Sequence, residues 1–407
     1  MAETLLNQNQ IRKGWDQPTG WPDLRNGAIP NSVYYFVGHS ADYSTYPKFA
    51  VYATVSNSGT YDVYVDGIKQ ATTASGSSTE LNWQTLALSS GWDVTHPSTL
   101  HAHIVRVTPS SDANTFTAIR CENPAGTGTS SSNEPALGVL WCHYALDYVI
   151  DTSYAFARYP WGYWNPDLIA VTAQGDVLKT SNLYNFLAKG SDLQYRGASK
   201  IEYLPIFDLN SGEVNSNGSF CCNTNGTYNT ALKKIRLKNG TLKGTGKTFG
   251  FLSNLIEIEC EQASVLVNGQ VFYQLPKLKK LPDLKLSESF TNSLDSSFVR
   301  LSELADTFLD VSYHSTMTKL AVGASASYPI NGIKWLTVSS SAPFSGTSPQ
   351  INVSYTGLNR AALVQLFNSL PTVTDDQVCT ITGCSGAADL TADDLAIATA
   401  KGWTVTR

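Results

Sequence analysis

Charge is scarce in this 407-residue chain: 15% of its residues are Asp, Glu, Lys or Arg, and the formal net charge is −5. Without a basic excess there is no global electrostatic pull towards nucleic acid. No CxxC pair occurs among the seven cysteines, which argues against a zinc ribbon. Cys221 and Cys222 are adjacent and unsuited to bonding each other, and Cys379 and Cys384 are either close across a turn or free. The set reads as reduced and structural, as expected in a reducing cytosol. The opening "MAETLLNQNQIRKGW" has no apolar h-region, so a secretory signal is not expected. No run approaches ~18 apolar residues, so no membrane span is expected. Gly-x-Ser-x-Gly and the Walker loop are also missing. "GTGKTFG" (244–250) lacks the gap a phosphate loop requires and reads as a turn.

Ser, Thr, Asn, Gly and aromatic residues are abundant, which favours strands and turns over helical bundles. Residues 1 to about 120 read as all-β. Phe49, Val51, Ala53 and Val55 alternate, "NSG" turns the chain, Tyr61, Val63 and Val65 alternate again, and "DG" turns it once more. "LHAHIVRVTP" is a further strand with Ala102, Ile104 and Arg106 on one face. Short strands of this kind predict a β-sandwich, one end plugged by Trp15 and Trp21. A Gly/Ser/Thr/Pro-rich stretch, 122–138, reads as a linker, and "VLWCHYALDYVI" returns to strand.

A repeat follows. Phe249, Leu252, Leu255 and Ile258 align with Phe272, Leu275, Leu278 and Leu281, and with Phe298, Leu301 and Leu304. Thr307 breaks the fourth position of the last copy, and Phe308 is the expected replacement. A spacing of three suits a tight 3₁₀-like turn, and the closing step of two, Leu284 to Leu286, suits a short strand. Starts 23 and 26 residues apart fall in the leucine-rich-repeat window. "GLNRAALVQLFNSLP" predicts a helix with Leu363, Leu366, Phe367 and Leu370 on one face. "LTADDLAIATAKGWTV" predicts another, with Thr391 as N-cap, Asp394 three residues on and Gly402 past its end.

The Phe-x-x-Leu-x-x-Leu repeat resembles the irregular BspA-like leucine-rich repeats of bacterial surface proteins and bacteriophages. "ALVQLFNSLPTV" with "ITGCSGAADLTADDLAIATAKGWTV" is similar to the closing module of such repeats in phage virion proteins. "KGWDQPTGWPDL" with "GTYDVYVDG" is similar to their N-terminal part, a polycystic-kidney-disease-like β-sandwich, although "DVYVDG" stands where that fold usually has "WGDG".

The expected fold is thus mainly β: an N-terminal Ig/PKD-like β-sandwich, then an irregular leucine-rich-repeat solenoid with a helical C-terminal cap. The expected divisions are 1–121, a linker and solenoid N-cap at 122–164, the solenoid at 165–356 and the cap at 357–407. The resemblance implies a virion component, a tail-fibre, tail-tip or head-fibre protein. It would be made in the host cytoplasm and meet host polysaccharide or protein, other virion proteins and further copies of itself. It implies no catalytic residue, and no cofactor is expected; the charge balance and the lack of a long apolar run give no expectation of nucleic acid or membrane insertion. The alternatives are a polysaccharide-degrading fibre, a capsid decoration protein without receptor binding, and a bacterial surface adhesin.

Two candidate binding groups stand out. Tyr159, Trp161, Tyr163 and Trp164 offer faces on which sugar rings stack; packing between sandwich and solenoid is the plainer reading. Residues 231–285 hold ten basic residues against four acidic ones, and Lys277, Lys279 and Lys280 mark a surface for an anionic partner; an ordinary solvated surface is the plainer reading. His101 and His103 share a strand face, but no further ligand follows at metal-site spacing, so no metal is expected. Asp375/Asp376 and Asp393/Asp394 are carboxylate pairs; the second falls in a helix's first turn, where the macrodipole favours negative charge.

Overall fold

The computed structural model describes residues 24–40, 48–82, 92–94, 100–122, 139–156, 168–187, 201–220, 231–286, 298, 300–322, 324–374 and 376–407. The chain is mainly β, in several sheets, with two helices of appreciable length. Contacts divide it into two units, one within 1–241 and 261–263, the other within 242–260 and 264–407.

In the first unit the strands are β1 (Ser32–Ser40), β2 (Lys48–Val55), β3 (Thr60–Val65), β4 (Ile68–Ala74), β5 (Ser77–Asn82), β6 (Trp92–Val94), β7 (Leu100–Pro109) and β8 (Phe116–Glu122). There follow β9 (Val139–Ala145), β10 (Ile150–Asp151), β11 (Ala170–Ala173), β12 (Val177–Asn182) and β13 (Ile206–Asn217). One sheet runs β11-β9-β1-β7-β3-β4, with β6 on β7; a second runs through β13-β12-β10-β8-β2-β5.

The alternation seen in sequence fills the space between these sheets. Phe49, Val51, Ala53 and Val55 are buried, as are Tyr61, Val63 and Val65. The Tyr35 and Phe49 rings lie 5.4 Å apart, and the Tyr61 hydroxyl reaches the carbonyls of Ser77 (2.7 Å) and Val51 (3.1 Å). On β7 the deeply buried side chains are His103, Val105 and Val107, while Ile104 and Arg106, the other face, are half-buried. Asp66 and Gly67 both take positive φ (48° and 82°), which makes the two-residue β3–β4 hairpin. Trp15 and Trp21 lie outside the described residues.

Strand direction changes along this unit. The strands up to β8 pair antiparallel, as β1 does with β7 and β9, and β2 with β5 and β8. Later ones pair parallel: β9 with β11, β8 with β10, β10 with β12, and β12 with β13. A parallel neighbour needs a crossover connection between the two strands, which a tight hairpin cannot supply.

Two long strands straddle the division, β14 (Lys234–Thr245) and β15 (Glu257–Asn268). Like β13, each is broken by a left-handed residue: Ser211 (φ 56°), Asn239 (φ 51°) and Gln262 (φ 53°). Gly240 follows the second bend with φ 136°, and a Cβ there would lie 2.7 Å from the Gly212 carbonyl oxygen, so backbone approach and φ both require glycine.

The second unit continues with β16 (Leu284–Leu286), β17 (Thr307–Val311), β18 (Leu320–Ala321), β19 (Ile333–Val338), β20 (Ile351–Asn352), β21 (Gln377–Thr380) and β22 (Trp403–Thr406). Its pairs are parallel: β15 with β16, β17 with β19, and β18-β20-β21-β22 in order. The aligned apolar positions of the three repeat copies, from Phe249 to Leu304, are all buried. The three-residue steps are tight turns, closed by hydrogen bonds from Leu255 N to Leu252 O, Leu278 N to Leu275 O and Leu304 N to Leu301 O. Successive turns also bond to each other, Lys279 N to Ile256 O and Ala305 N to Lys279 O. The leading phenylalanines stack: Phe249 on Phe272 at 5.6 Å and Phe272 on Phe298 at 5.8 Å, with planes 18° and 10° apart.

Phe308 does not replace Thr307 in the core. It is 70% exposed. The segment is a strand there, and period-two alternation turns Leu309 and Val311 inward and Phe308 and Asp310 outward.

Helix α1 (Arg360–Ser369) is capped by the Asn359 side chain and buries Leu363, Leu366 and Phe367, with Leu370 just beyond its end. Lys401 Nζ donates to the carbonyls of Phe367, Asn368 and Leu370 at that end, where the helix leaves acceptors unpaired. Helix α2 (Ala392–Thr399) starts in a capping box formed by Thr391 and Asp394, and Gly402 follows with φ 85°. Among the described residues no helix is long and apolar enough to cross a membrane.

Candidate functional site

Lys277, Lys279 and Lys280 are exposed on one turn of the second unit, on either side of buried Leu278. Lys277 Nζ donates to Asn254 Oδ1 at 2.8 Å. Lys280 sits where the turn meets the strand that follows, its backbone bridged to Glu257. The aromatic residues Tyr159, Trp161, Tyr163 and Trp164 lie outside the described residues.

Lys280 also lines a groove of about 410 Å³. One wall comes from the segment leading into β16 and carries Lys280 and Asp283. The other comes from β17 and its flanks and carries Asp306, Phe308, Asp310 and Tyr313. This volume falls in the range of about 300–1,000 Å³ common to small-ligand clefts. Phe308 is 70% and Tyr313 58% exposed, unusual values for large aromatic side chains.

The pairing of β17 with β19 shifts register between Thr307 and Phe308, an irregularity of the kind that re-aims a side chain. Beyond the shift, Phe308 is opposite Trp335 and Asp310 opposite Thr337. Phe308, Asp310, Trp335 and Thr337 therefore share one outward strand face. Asp310 Oδ1 accepts from Ser312 N (3.0 Å) and Thr337 Oγ1 (2.7 Å). These hydrogen bonds, from Ser312 and then Thr337, hold its carboxyl below the usual carboxylate range. Asp310 is therefore a fixed, ionised acceptor. A glycosidase general acid requires the opposite shift.

Other candidates prove engaged. His103 Nδ1 lies 2.7 Å from Asp66 Oδ2, and Ile104 N donates to the same carboxylate at 3.0 Å, so this buried histidine tethers a hairpin turn. Among the described residues no three His, Cys, Asp or Glu side chains converge as a metal site. The "GTGKTFG" segment is turn structure, and Lys247 Nζ lies about 5 Å from the ring centres of Phe251 and Tyr273. Burial pushes the Cys379 thiol up to about 12, and burial with the charge of Asp283 pushes Cys260 up to about 11. Neither is an activated nucleophile.

The carboxylate pairs fare unequally. Asp375 lies outside the described residues. Asp394 caps α2 and pairs with Arg360 at 2.8 Å. In the first unit Arg236 Nη1 lies 2.9 Å from Asp176 Oδ2, and Tyr203 donates to Asp176 Oδ1 at 2.6 Å. That cluster ties neighbouring strands and is largely buried.

Sequence reasoning missed Phe308, Trp335 and Tyr313 as surface residues. The available signal was the alternation in "TFLDV" and "IKWLTV", which places Phe308 and Trp335 out of phase with Leu309, Val311, Leu336 and Val338. The chain matches no protein-family model, no curated protein and no solved structure in the comparisons made with them.

Proposed function

We propose that this protein is a non-enzymatic structural component of a phage virion, a tail-fibre, tail-tip or head-fibre protein. It mediates adhesion to the host surface or to neighbouring virion proteins. In this reading the antiparallel part of the first unit is an Ig/PKD-like β-sandwich that mounts the chain on the particle. The parallel, turn-repeating part is an irregular leucine-rich-repeat solenoid, closed by the two capped helices. Stacked Phe249, Phe272 and Phe298, with parallel pairs at each circuit, are what such a repeat requires, because a single turn cannot bury its apolar edge alone.

The observation that carries adhesion is the exposure of Phe308 and Tyr313 in a groove that also presents Asp283, Asp306 and Asp310. Multivalent display on a particle raises a modest single-site affinity without new contacts. A second reading, a polysaccharide-degrading fibre, draws on Asp283, Asp306 and Asp310 in the same groove. Release of reducing sugar from surface polysaccharide, abolished by Asp306→Asn, would favour it over adhesion.

The deciding experiment is gold labelling of intact particles with an antibody to residues 300–407, viewed by electron microscopy. Label at tail tips or fibres is the expected result. Label over the head would favour decoration. No label on any particle, with the epitope accessible in purified protein, overturns the virion reading.

A further inference from the structure

We propose that the outward face of β17 and β19, with the groove beside it, binds an uncharged glycan chain. This rests on the adhesion reading and names its ligand. Phe308 supplies the first argument. A phenylalanine side chain left in water forgoes the free energy of burying it, and Phe308 is 70% exposed. The strand's own core needs are met by Leu309 and Val311, which are 7% and 5% exposed. The register shift before Phe308 sets it opposite Trp335, so exposed Phe308 and half-buried Trp335 fall on the same strand face. Tyr313 extends the aromatic surface along the groove. Flat, rigid rings offer large contact area at small entropic cost, and the C–H faces of a pyranose are apolar enough to lie on them.

Asp310 supplies the second argument. Its carboxylate stands on the same face and is fixed by Ser312 and Thr337. A carboxylate held by its own supporting hydrogen bonds is preorganised to accept from a ligand hydroxyl, and charge-assisted bonds of that kind are the stronger ones. Asp283 and Asp306 add two further acceptors at the groove. Sugar hydroxyls are suitable donors. A purely apolar ligand would leave these carboxylates desolvated and unpaired.

Charge supplies the third. Among the described residues that line it, the groove carries Asp283, Asp306 and Asp310 against Lys280. An acidic polysaccharide would be opposed there, whatever the neighbouring Lys277 and Lys279 attract. The ligand is therefore a chain of uncharged sugars, lying across ring faces and donating hydroxyls to carboxylates.

The test is binding of the full chain to an array of uncharged oligosaccharides. Affinity electrophoresis follows in soluble mannan, β-glucan and galactan, with polygalacturonate as the acidic comparison. The expected result is retention by at least one uncharged glycan and not by polygalacturonate. Phe308→Ala should weaken that binding tenfold or more, Phe308→Tyr should retain it, and Asp310→Asn should weaken it several-fold. Because Phe308 is exposed, its variants should melt with the parent. Failure of every uncharged glycan to bind, undiminished binding by Phe308→Ala, or tighter binding of polygalacturonate would overturn the proposal. Unlabelled particles with glycan binding intact would sink the virion reading alone; labelled particles with no glycan binding would sink this site alone.

Discussion

Asp394 accepts from three directions: Thr391 N at 2.8 Å, Arg360 Nε at 2.8 Å and Arg360 Nη2 at 3.1 Å. Arg360 is the largest cause, with Thr391 next, and together they hold the carboxyl far below the usual range. A carboxylate depressed on folding contributes stability that is complete above its unfolded value of about 4 and is lost as pH falls towards the folded one. Asp394→Asn should therefore melt below the parent at pH 7, and the gap should close as pH is lowered from about 4 towards 2. Thermal melts across that range decide it; a gap unchanged at low pH would mean that the ionised form contributes nothing. The capping role of Thr391 and Asp394 was legible in sequence because it depends on residues three apart. The partner Arg360 was not, because it lies 34 positions away and only packing of the two helices brings it close.

At the scale of elements, the repeat is held by its phenylalanine stack. Phe272 is fully buried between Phe249 and Phe298. Phe272→Ala should cost about 3–5 kcal/mol, through lost burial and the cavity left between two rings. Lys277→Ala, on the same turn but exposed, should stay within about 0.5 kcal/mol. Chemical denaturation of both variants checks the contrast, and equal losses would contradict the stacked core. The Phe-x-x-Leu-x-x-Leu spacing announced these buried positions, since tight turns present every third residue to one side. The same spacing misplaced Phe308. After Leu304 the chain enters a strand, the period changes from three to two, and the next large apolar residue faces water.

At the scale of the whole molecule, an acidic chain carries a locally basic stretch. On β15, Glu259 and Glu261 are exposed and Glu257 half-buried, so acidic side chains share the surface of that stretch. Lys233, Lys234 and Lys285 are exposed elsewhere in the stretch, and Lys277, Lys279 and Lys280 are exposed together on one turn. If they engage an anionic partner, reversing all three to Glu should reduce binding to host cells and remove its salt dependence. Unchanged binding and unchanged salt dependence would assign these lysines to solvation alone. The uncharged-glycan site should be little affected except through Lys280, which makes the two surfaces separable by experiment.

Local interactions let the sequence by itself determine the predominance of strands, the hairpin at Asp66–Gly67, the buried repeat positions and the Thr391–Asp394 cap of α2. Each depends on residues within a few positions of one another, where side-chain period and backbone preference act directly. Only the tertiary structure decided that β10 and the later strands pair parallel, that Arg360 reaches Asp394, and that Phe308 and Trp335 fall on one strand face. Strand partners 20–30 residues apart are chosen by tertiary packing, and β17 meets β19 across such a gap. An exposed phenylalanine looks like any core residue until that packing shows which side of the strand has already been filled.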